Sequence, residues 1–307
     1  MCKQAMCSAI GVMPLVFTMC SASASDLFVA PRLEIRGGYE NNRMEESGEG
    51  EGSLFWQTGP GLDLTIFRAK SETSLLLDYR RTQYAKSEYE FKDDVSAMAR
   101  WRYLDGQNEA GADLGGGIYR DGALPYDDNT FWQASPCFMR MLEAVPVELT
   151  LNGNARQAFY DASSYTSATE RVDTRMEVRP GLQWHVFGKT KLWGELYAES
   201  NSSEAKEAEY TGFGGALGCL SRPLSRLDLS VWAETGTRSY SEQINGDDRG
   251  DVLCRVGVWT TYRLRSFMEL FSSAEWDSIA STIDGNDYTW WQVGFGVKLV
   301  FEQELDG

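Results

Sequence analysis

The chain has 307 residues, a net charge of −16 at pH 7, 42% hydrophobic residues and 12% aromatic residues. This acidic balance excludes a nucleic-acid-binding protein, which needs a basic face, and the apolar content excludes a disordered chain. After the first few dozen positions no run of about 18 apolar residues occurs, so the sequence predicts no membrane-spanning helix.

The N-terminal segment predicts a secretory signal peptide. Lys3 precedes a short apolar core at residues 9–19, and the small-x-small sequence Ala22-Ser23-Ala24 follows. Signal peptides have their features in this order. A buried first helix is the alternative, which Pro14 and the small-residue tail disfavour. We therefore expect residues 1–24 to be cleaved and residues 25–307 to form one exported domain.

Three cysteines follow the predicted signal peptide: Cys137, Cys219 and Cys254. Their number is odd, their spacing is wide, and they form no CxxC pair, so neither a disulfide framework nor a zinc site is indicated. The sequence predicts no metal and no cofactor.

Segments that alternate apolar and polar residues follow one another along the mature chain. They include RLEIRGGYE, GLDLTIF, VSAMARWRY, TRMEVRPGLQWHV, RLDLSVWAE and DVLCRVGVWTTYR. A strand points successive side chains to opposite faces, so each segment has one apolar and one charged face. We count about 14 such strands (12–16), each roughly 10 to 15 residues long, a length typical of transmembrane β-strands.

The connections between these segments alternate in length. Short ones include RAKSE, DGQN, EAVP, GKT and RLR, and long acidic ones include NNRMEESGEGEG, KSEYEFKDD, ESNSSEAKEAE and SEQINGDDRGD. Short periplasmic turns and longer extracellular loops are typical of outer-membrane barrels. Alternation alone also fits a soluble all-β protein. With the signal peptide and the loop pattern, it predicts a single antiparallel up-and-down β-barrel over residues 25–307.

Aromatic residues fall near the ends of the apolar faces, as in membrane-interface belts. We expect Trp56, Tyr79, Trp132 and Tyr210 at the outer rim, and Trp101, Tyr103, Trp184 and Tyr262 at the periplasmic rim.

The last strand carries an assembly motif. Gly296, Leu299 and Phe301 have the spacing Gly-x-x-hydrophobic-x-aromatic. This resembles the C-terminal signal that the barrel-assembly machinery recognises in outer-membrane proteins. Here the sequence EQELDG follows Phe301 instead of the chain end.

The opening of the mature chain resembles a known family. The segments LEIRGGYENN, GPGLDL and SLLLDYRRTQYAKSEYEFKDD are similar to the first strands of the beta-barrel porin 2 family, whose first strand typically ends in Gly-Tyr-Asp-Asp-Asn. Glu40 and Asn41 are the departures, and VRPGLQWHV resembles an internal echo of the second segment. The resemblance covers the first quarter of the chain. It implies an outer-membrane barrel without a catalytic motif and, because some members resemble exopolysaccharide export proteins, polysaccharide export proteins as partners.

The charged faces define the predicted pore lining. It comprises Arg36, Asp63, Asp78, Arg80, Arg100, Arg102, Asp113, Arg140, Arg156, Asp173, Arg175, Glu177, Arg179, His185, Glu195, Asp228, Arg255, Glu269 and Lys298. Such an interior is either a water-filled channel with selective walls or an ion-pair ladder that stabilises a closed barrel. The loop carboxylates either bridge divalent cations to lipopolysaccharide or are simply solvated.

The sequence thus predicts a porin-like channel for passive diffusion of small or charged solutes across the bacterial outer membrane. The alternatives are a non-conducting structural barrel, an exopolysaccharide export component and, remotely, a lipid hydrolase or protease. His185 is the only histidine, and neither G-x-S-x-G nor HExxH occurs, so no enzyme is predicted. The expected partners are outer-membrane lipids, lipopolysaccharide and the assembly machinery.

Overall fold

The computed structural model describes residues 27–41, 52–86, 91–124, 127–160, 171–187, 189–205, 208–244, 247–283 and 287–305. The predicted signal peptide, residues 1–24, lies outside the described residues. So do most positions of several predicted loops.

Strands occupy nearly all of the described chain. They are β1 (Leu27–Glu40), β2 (Ser53–Arg68), β3 (Ser71–Tyr84), β4 (Phe91–Asp105), β5 (Asn108–Asp121), β6 (Asn129–Met141), β7 (Val147–Tyr160), β8 (Arg171–Phe187), β9 (Thr190–Ser203), β10 (Tyr210–Leu224), β11 (Leu227–Ile244), β12 (Asp247–Arg265), β13 (Met268–Ser281), β14 (Tyr288–Val300) and β15 (Gln303–Leu305). No helix in the described residues is long and apolar enough to cross a membrane.

The sheet closes on itself. Each strand from β1 to β13 pairs antiparallel with the next in sequence, and β14 pairs back with β1 from Arg32↔Val300 to Glu40↔Gln292. Closure removes the unpaired strand edges that an open sheet would expose. The predicted all-β up-and-down barrel of about 14 strands is therefore confirmed.

The tail after β14 continues the last strand. β15 pairs with the first residues of β1, from Leu27↔Leu305 to Val29↔Gln303, and the Phe301 N–H donates to the Pro31 carbonyl. Three residues of the EQELDG extension, Gln303 to Leu305, therefore extend the pairing of the C-terminal segment to the start of β1.

One predicted loop is largely strand. The segment SEQINGDDRGD was expected to be a connection, but β11 extends to Ile244 and β12 begins at Asp247. A register irregularity between Ser239 and Gln243 separates this part from the rest of the hairpin. Beyond the apolar band both faces of a hairpin meet water, so polar residues do not prevent backbone pairing there.

The two Pro-Gly sequences, at residues 60–61 in β2 and 180–181 in β8, interrupt strand pairing in a similar way. Proline has no N–H for the ladder. Pairing of β2 with β3 skips Gly59 and Pro60, and pairing of β8 with β9 skips Arg179 and Pro180. The two motifs thus interrupt the ladder on the side of the following strand in the same way.

The outer surface of the barrel is apolar. Leu196, Phe213, Leu217 and Phe295 are each exposed by about two thirds or more, at 69%, 69%, 67% and 72%. In water such a surface would be a large aggregation-prone patch, whereas in lipid a closed barrel with an apolar outer band is stable. The chain therefore folds as a membrane-spanning β-barrel.

Polar groups mark the rims of this outer face. Near the end with the long connections, the Trp56 and Trp132 indole N–H groups donate to Gln83 at 2.7 Å and Gln157 at 2.9 Å. Such amphipathic pairs suit a membrane interface. Tyr210 lies at this end of the barrel as expected, but it pairs with Tyr240 on the inward face, so its expected position on the apolar face is wrong.

We expect Leu196→Arg to destabilise the barrel in lipid vesicles by about 2–4 kcal/mol, because it places a guanidinium on the lipid face at mid-strand. Gln133→Arg, on the inward face of β6, is the matched control and should change stability much less. Urea unfolding followed by heat-modifiable gel mobility measures both. Equal effects of the two substitutions would contradict the assignment of the faces.

Candidate functional site in the barrel interior

Contacts that pass over intervening strands identify the inward face. Arg179 of β8 reaches Glu234 of β11 at 3.0 Å, across β9 and β10. Arg32 of β1 reaches Asp78 of β3 at 3.0 Å, across β2. Side chains converge in this way only on the concave side of a curved sheet, so these residues face the barrel interior.

Strand register extends this assignment around the barrel. Because side chains alternate in direction and paired residues share a face, the inward set can be followed from strand to strand. All the predicted pore-lining residues except Arg140 lie on this face: Arg36, Asp63, Asp78, Arg80, Arg100, Arg102, Asp113, Arg156, Asp173, Arg175, Glu177, Arg179, His185, Glu195, Asp228, Arg255, Glu269 and Lys298.

Arg140 is the predicted pore-lining residue that does not face inward. It pairs with Leu149, which is 44% exposed, and shares its face with Trp132 and Phe138. It lies one residue before the end of β6, beside the short connection 142–146. At a membrane rim a long cationic side chain can extend toward the headgroups, so its charge does not require an inward position.

Arg179 is the hub of one inward wall. Its guanidinium contacts Glu177 at 2.7 Å, Glu195 at 2.6 Å and Glu234 at 3.0 Å. Glu234 also lies 3.7 Å from Arg255, which contacts Asp277 on β13 at 2.9 Å. Charge-assisted hydrogen bonds and the Glu234–Arg255 ion pair therefore connect β8, β9, β11, β12 and β13.

A second group lies toward the end with the long connections. Glu199, whose side chain is 1% exposed, accepts hydrogen bonds from Arg175 at 2.6 Å and Arg238 at 2.8 Å. Arg238 also stacks over the Tyr210 ring at 4.5 Å. Tyr210 thus serves as an inward cation–π platform rather than a lipid-facing belt residue.

The same stacking recurs on other strands. Arg171 lies over Tyr160 at 4.4 Å and Arg249 over Tyr240 at 3.9 Å. In both cases the arginine also pairs with a carboxylate, Asp173 and Asp251 respectively. Each guanidinium is held in one orientation by a ring and a carboxylate.

Glycines leave room for large inward side chains. A Cβ on Gly218 would lie 2.6 Å from the Trp193 ring, and one on Gly296 would lie 2.5 Å from Phe271. Gly296 is the glycine of the predicted assembly motif, and a side chain there would also clash with the Ile35 carbonyl oxygen, so the glycine accommodates both Phe271 and the backbone of β1. The other two motif residues face outward near the short-turn end, where Phe301 stacks on Phe267 at 5.9 Å.

On the β1–β5 side the interior holds ion pairs and a cavity of about 190 Å³. Arg32 contacts Asp63 at 2.7 Å, and Arg102 contacts Asp113 at 2.6 Å. The cavity is lined by Arg32, Glu34, Gly59, Asp78, Tyr79, Arg80, Asp94, Ser96 and Lys298. Asp94 Oδ1 is buried there without a hydrogen-bond partner.

A larger cavity of about 590 Å³ opens at the end with the short turns, and His185 lines it. The His185 Nε2 atom lies 2.6 Å from Glu148, which also lies 3.5 Å from Lys191. Among the described side chains, no group of three or more His, Cys, Asp and Glu is arranged to hold a metal ion.

The predicted pore lining omits several charged residues that face inward, including Arg32, Glu199, Arg238 and Asp251. Each of these four lies an even number of positions from a predicted residue on its own strand, as Arg32 does from Arg36. Strict period-two extension of each charged face to the strand ends would have found them.

No protein-family model matches the chain, and no curated protein matches its sequence. Similar solved structures are outer-membrane barrels. The outer membrane channel DcaP of Acinetobacter baumannii has a TM-score of 0.52 at 10% identity, covering 92% of this chain and 98% of that one. Outer-membrane expressed OmpT of Vibrio cholerae has a TM-score of 0.51 at 10% identity, covering 92% and 99%.

A bacterial polysaccharide outer membrane secretin has a TM-score of 0.50 at 13% identity, covering 88% of this chain and 98% of that one. At such identities these likenesses show the fold alone. The fold is that of bacterial outer-membrane β-barrels.

We expect Arg179→Met to lower the free energy of unfolding by about 1–3 kcal/mol, because three carboxylates lose a charged donor. Adding Glu234→Gln should restore part of the loss. Lys70→Met, which breaks an exposed pair with Asp105, is the control and should change nothing measurable. Urea midpoints report all three, and an unchanged midpoint for Arg179→Met would show that the hub does not stabilise the barrel.

Proposed function

We propose that the barrel is a passive channel for small charged solutes in the bacterial outer membrane, with a preference for anions. The observation that carries this proposal is a set of inward arginines without ion-pair partners among the described residues: Arg36, Arg80 and Arg156. Arg36 donates to the neutral Ser273 and Gln292 at 2.7 Å.

A dry ion-pair ladder does not account for these arginines. Desolvating a guanidinium without a carboxylate partner is costly, and the Nε atoms of Arg36 and Arg156 are buried without any hydrogen-bond partner in the described structure. Arg80 is exposed, and Arg36 and Arg156 are partly exposed, on the inward face, so water in the lumen can hydrate the accessible atoms of their guanidinium groups. The interior therefore favours a water-filled passage on the side of β1, β3 and β7, beside the paired wall of β8–β13.

Unpaired guanidiniums attract anions to the lumen. Fixed charge on a narrow wall raises the local concentration of counter-ions and sets ion selectivity. We base the preference for anions on these three guanidiniums, which have no ion-pair partner among the described residues. The inward face as a whole carries both signs, and Asp94 lies opposite Arg80 in the register.

We infer that His185 is a wall residue and that the chain is not an enzyme. The hydrogen-bond partner of His185 among the described residues is Glu148, and both lie near the short-turn end. A catalytic histidine would need a nucleophile within hydrogen-bond reach.

Membership in the beta-barrel porin 2 family is likewise our proposal, supported by the segments around Tyr39 and Gly59. Lipopolysaccharide, the assembly machinery and polysaccharide export proteins as partners stay predictions.

The purified protein should give discrete conductance steps in planar bilayers. Arg80→Gln should shift the reversal potential in a salt gradient toward cations, because it removes an inward unpaired charge. The matched control is Arg81→Gln: Arg81 is the next residue on β3, faces outward and pairs with Asp93 at 3.3 Å. Absence of steps above background would overturn the channel, and equal shifts would overturn the role of Arg80.

The native cysteines provide an independent test for water in the lumen. Cys137 faces inward, because its register partners are Gly111 and Asn152, whereas Cys219 and Cys254 face lipid. A charged, membrane-impermeant thiol reagent should modify Cys137 alone in the folded, membrane-embedded protein, since the thiolate needs solvent access to react.

Peptide mass spectrometry reads the labelling, and the unfolded protein, in which all three cysteines should react, is the control. Protection of Cys137 would indicate a filled lumen and would contradict the proposed passage.

A further inference from the structure

We propose that the periplasmic end of the lumen contains a binding site for a small anionic solute that carries phosphate or carboxylate groups. The site is the cavity of about 590 Å³ at the short-turn end, and we call it the vestibule. Its lining includes His185, Lys189, Thr190, Lys191, Ser221 and Arg222, together with Asp228 and Trp259. This volume is within the range of small-molecule sites.

The cationic groups of the vestibule exceed its carboxylates. Arg222 is neutralised by Asp228, whose carboxylate it contacts at 2.5 and 3.1 Å. Lys191 shares Glu148 with His185. Lys189 has no carboxylate partner in the described part of the chain, so its charge is available to a ligand, with Lys191 two positions away.

The rest of the inward wall supplies the Ser230 hydroxyl and a flat apolar surface. The hydroxyl groups of Thr190 and Ser221, near the ends of β9 and β10, bond to each other at 2.9 Å at the rim of the cavity. The Trp259 indole stacks on Phe271 at 5.2 Å and is thereby fixed against the cavity. A few convergent polar groups against an apolar wall are the usual composition of a ligand site.

The two ends of the barrel differ in charge. The long connections at the opposite end carry acidic sequences such as NNRMEESGEGEG and ESNSSEAKEAE, which repel anions. An anion is therefore attracted at the vestibule and repelled at the other mouth, so anions should enter preferentially from the periplasmic side. The direction of entry depends on the proposed channel function, whereas binding in the vestibule does not.

Isothermal titration of the detergent-solubilised full mature chain with inorganic pyrophosphate tests binding. We expect the Lys189→Gln, Lys191→Gln double variant to bind at least about tenfold more weakly, since charge-assisted contacts are lost. The matched control is Lys70→Gln, in another short turn at the same end and paired with Asp105 at 2.6 Å; its affinity should be unchanged. Heat-modifiable gel mobility shows whether each variant is folded.

No binding to the unmodified protein, or an equal loss in the Lys70 variant, would overturn the vestibule site. In planar bilayers, pyrophosphate should reduce the chloride current at lower concentration from the periplasmic side than from the other side. Binding without conductance would overturn the channel and leave the site standing. Conductance without binding would overturn the site and leave the channel standing.

Discussion

Backbone hydrogen bonding in lipid is the constraint on which the rest of this structure depends. No water reaches the strand N–H and C=O groups at membrane depth, so every strand needs a partner on both sides. The pairing of β14 with β1, from Arg32↔Val300 to Glu40↔Gln292, completes that requirement. Once the sheet is closed, period-two alternation separates the side chains into a lipid face and an interior.

The interior then has to accommodate charges that the lipid face excludes. On β8–β13 they are paired, and the Arg179 hub joins strands that are not neighbours in the sheet. Arg238 and Arg249 are further fixed over tyrosine rings. Guanidiniums held by both a ring and a carboxylate have little conformational freedom left, so this wall is a rigid frame.

Much of this could be predicted from the sequence, because alternation and turn spacing are local properties. The barrel and its approximate strand number follow from period-two alternation together with the signal peptide and the alternating connection lengths, and the inward set from Arg36 to Lys298 follows from period two. The predicted faces of Arg140 and Tyr210 are wrong, because residue type and not the period was used to assign them. Near a rim an arginine can face outward, and a tyrosine can face inward beneath Arg238. The link between Arg179 and Glu234 depends on barrel curvature, which no single segment encodes.

The interior has an arc of paired charges on β8–β13 and an arc with arginines outside ion pairs on β1, β3 and β7. This division explains how a charged wall could be both stable and selective. An arginine that saturates its donors on carboxylates stabilises the fold but presents little net charge to a passing ion. Arg36 and Arg156 instead bond to neutral groups, with Asn129 3.4 Å from Arg156, and keep their charge available. Under the proposed channel function, selectivity depends on the arginines of β1, β3 and β7, whereas the ion pairs of β8–β13 stabilise the barrel, so substitutions should alter the two properties independently.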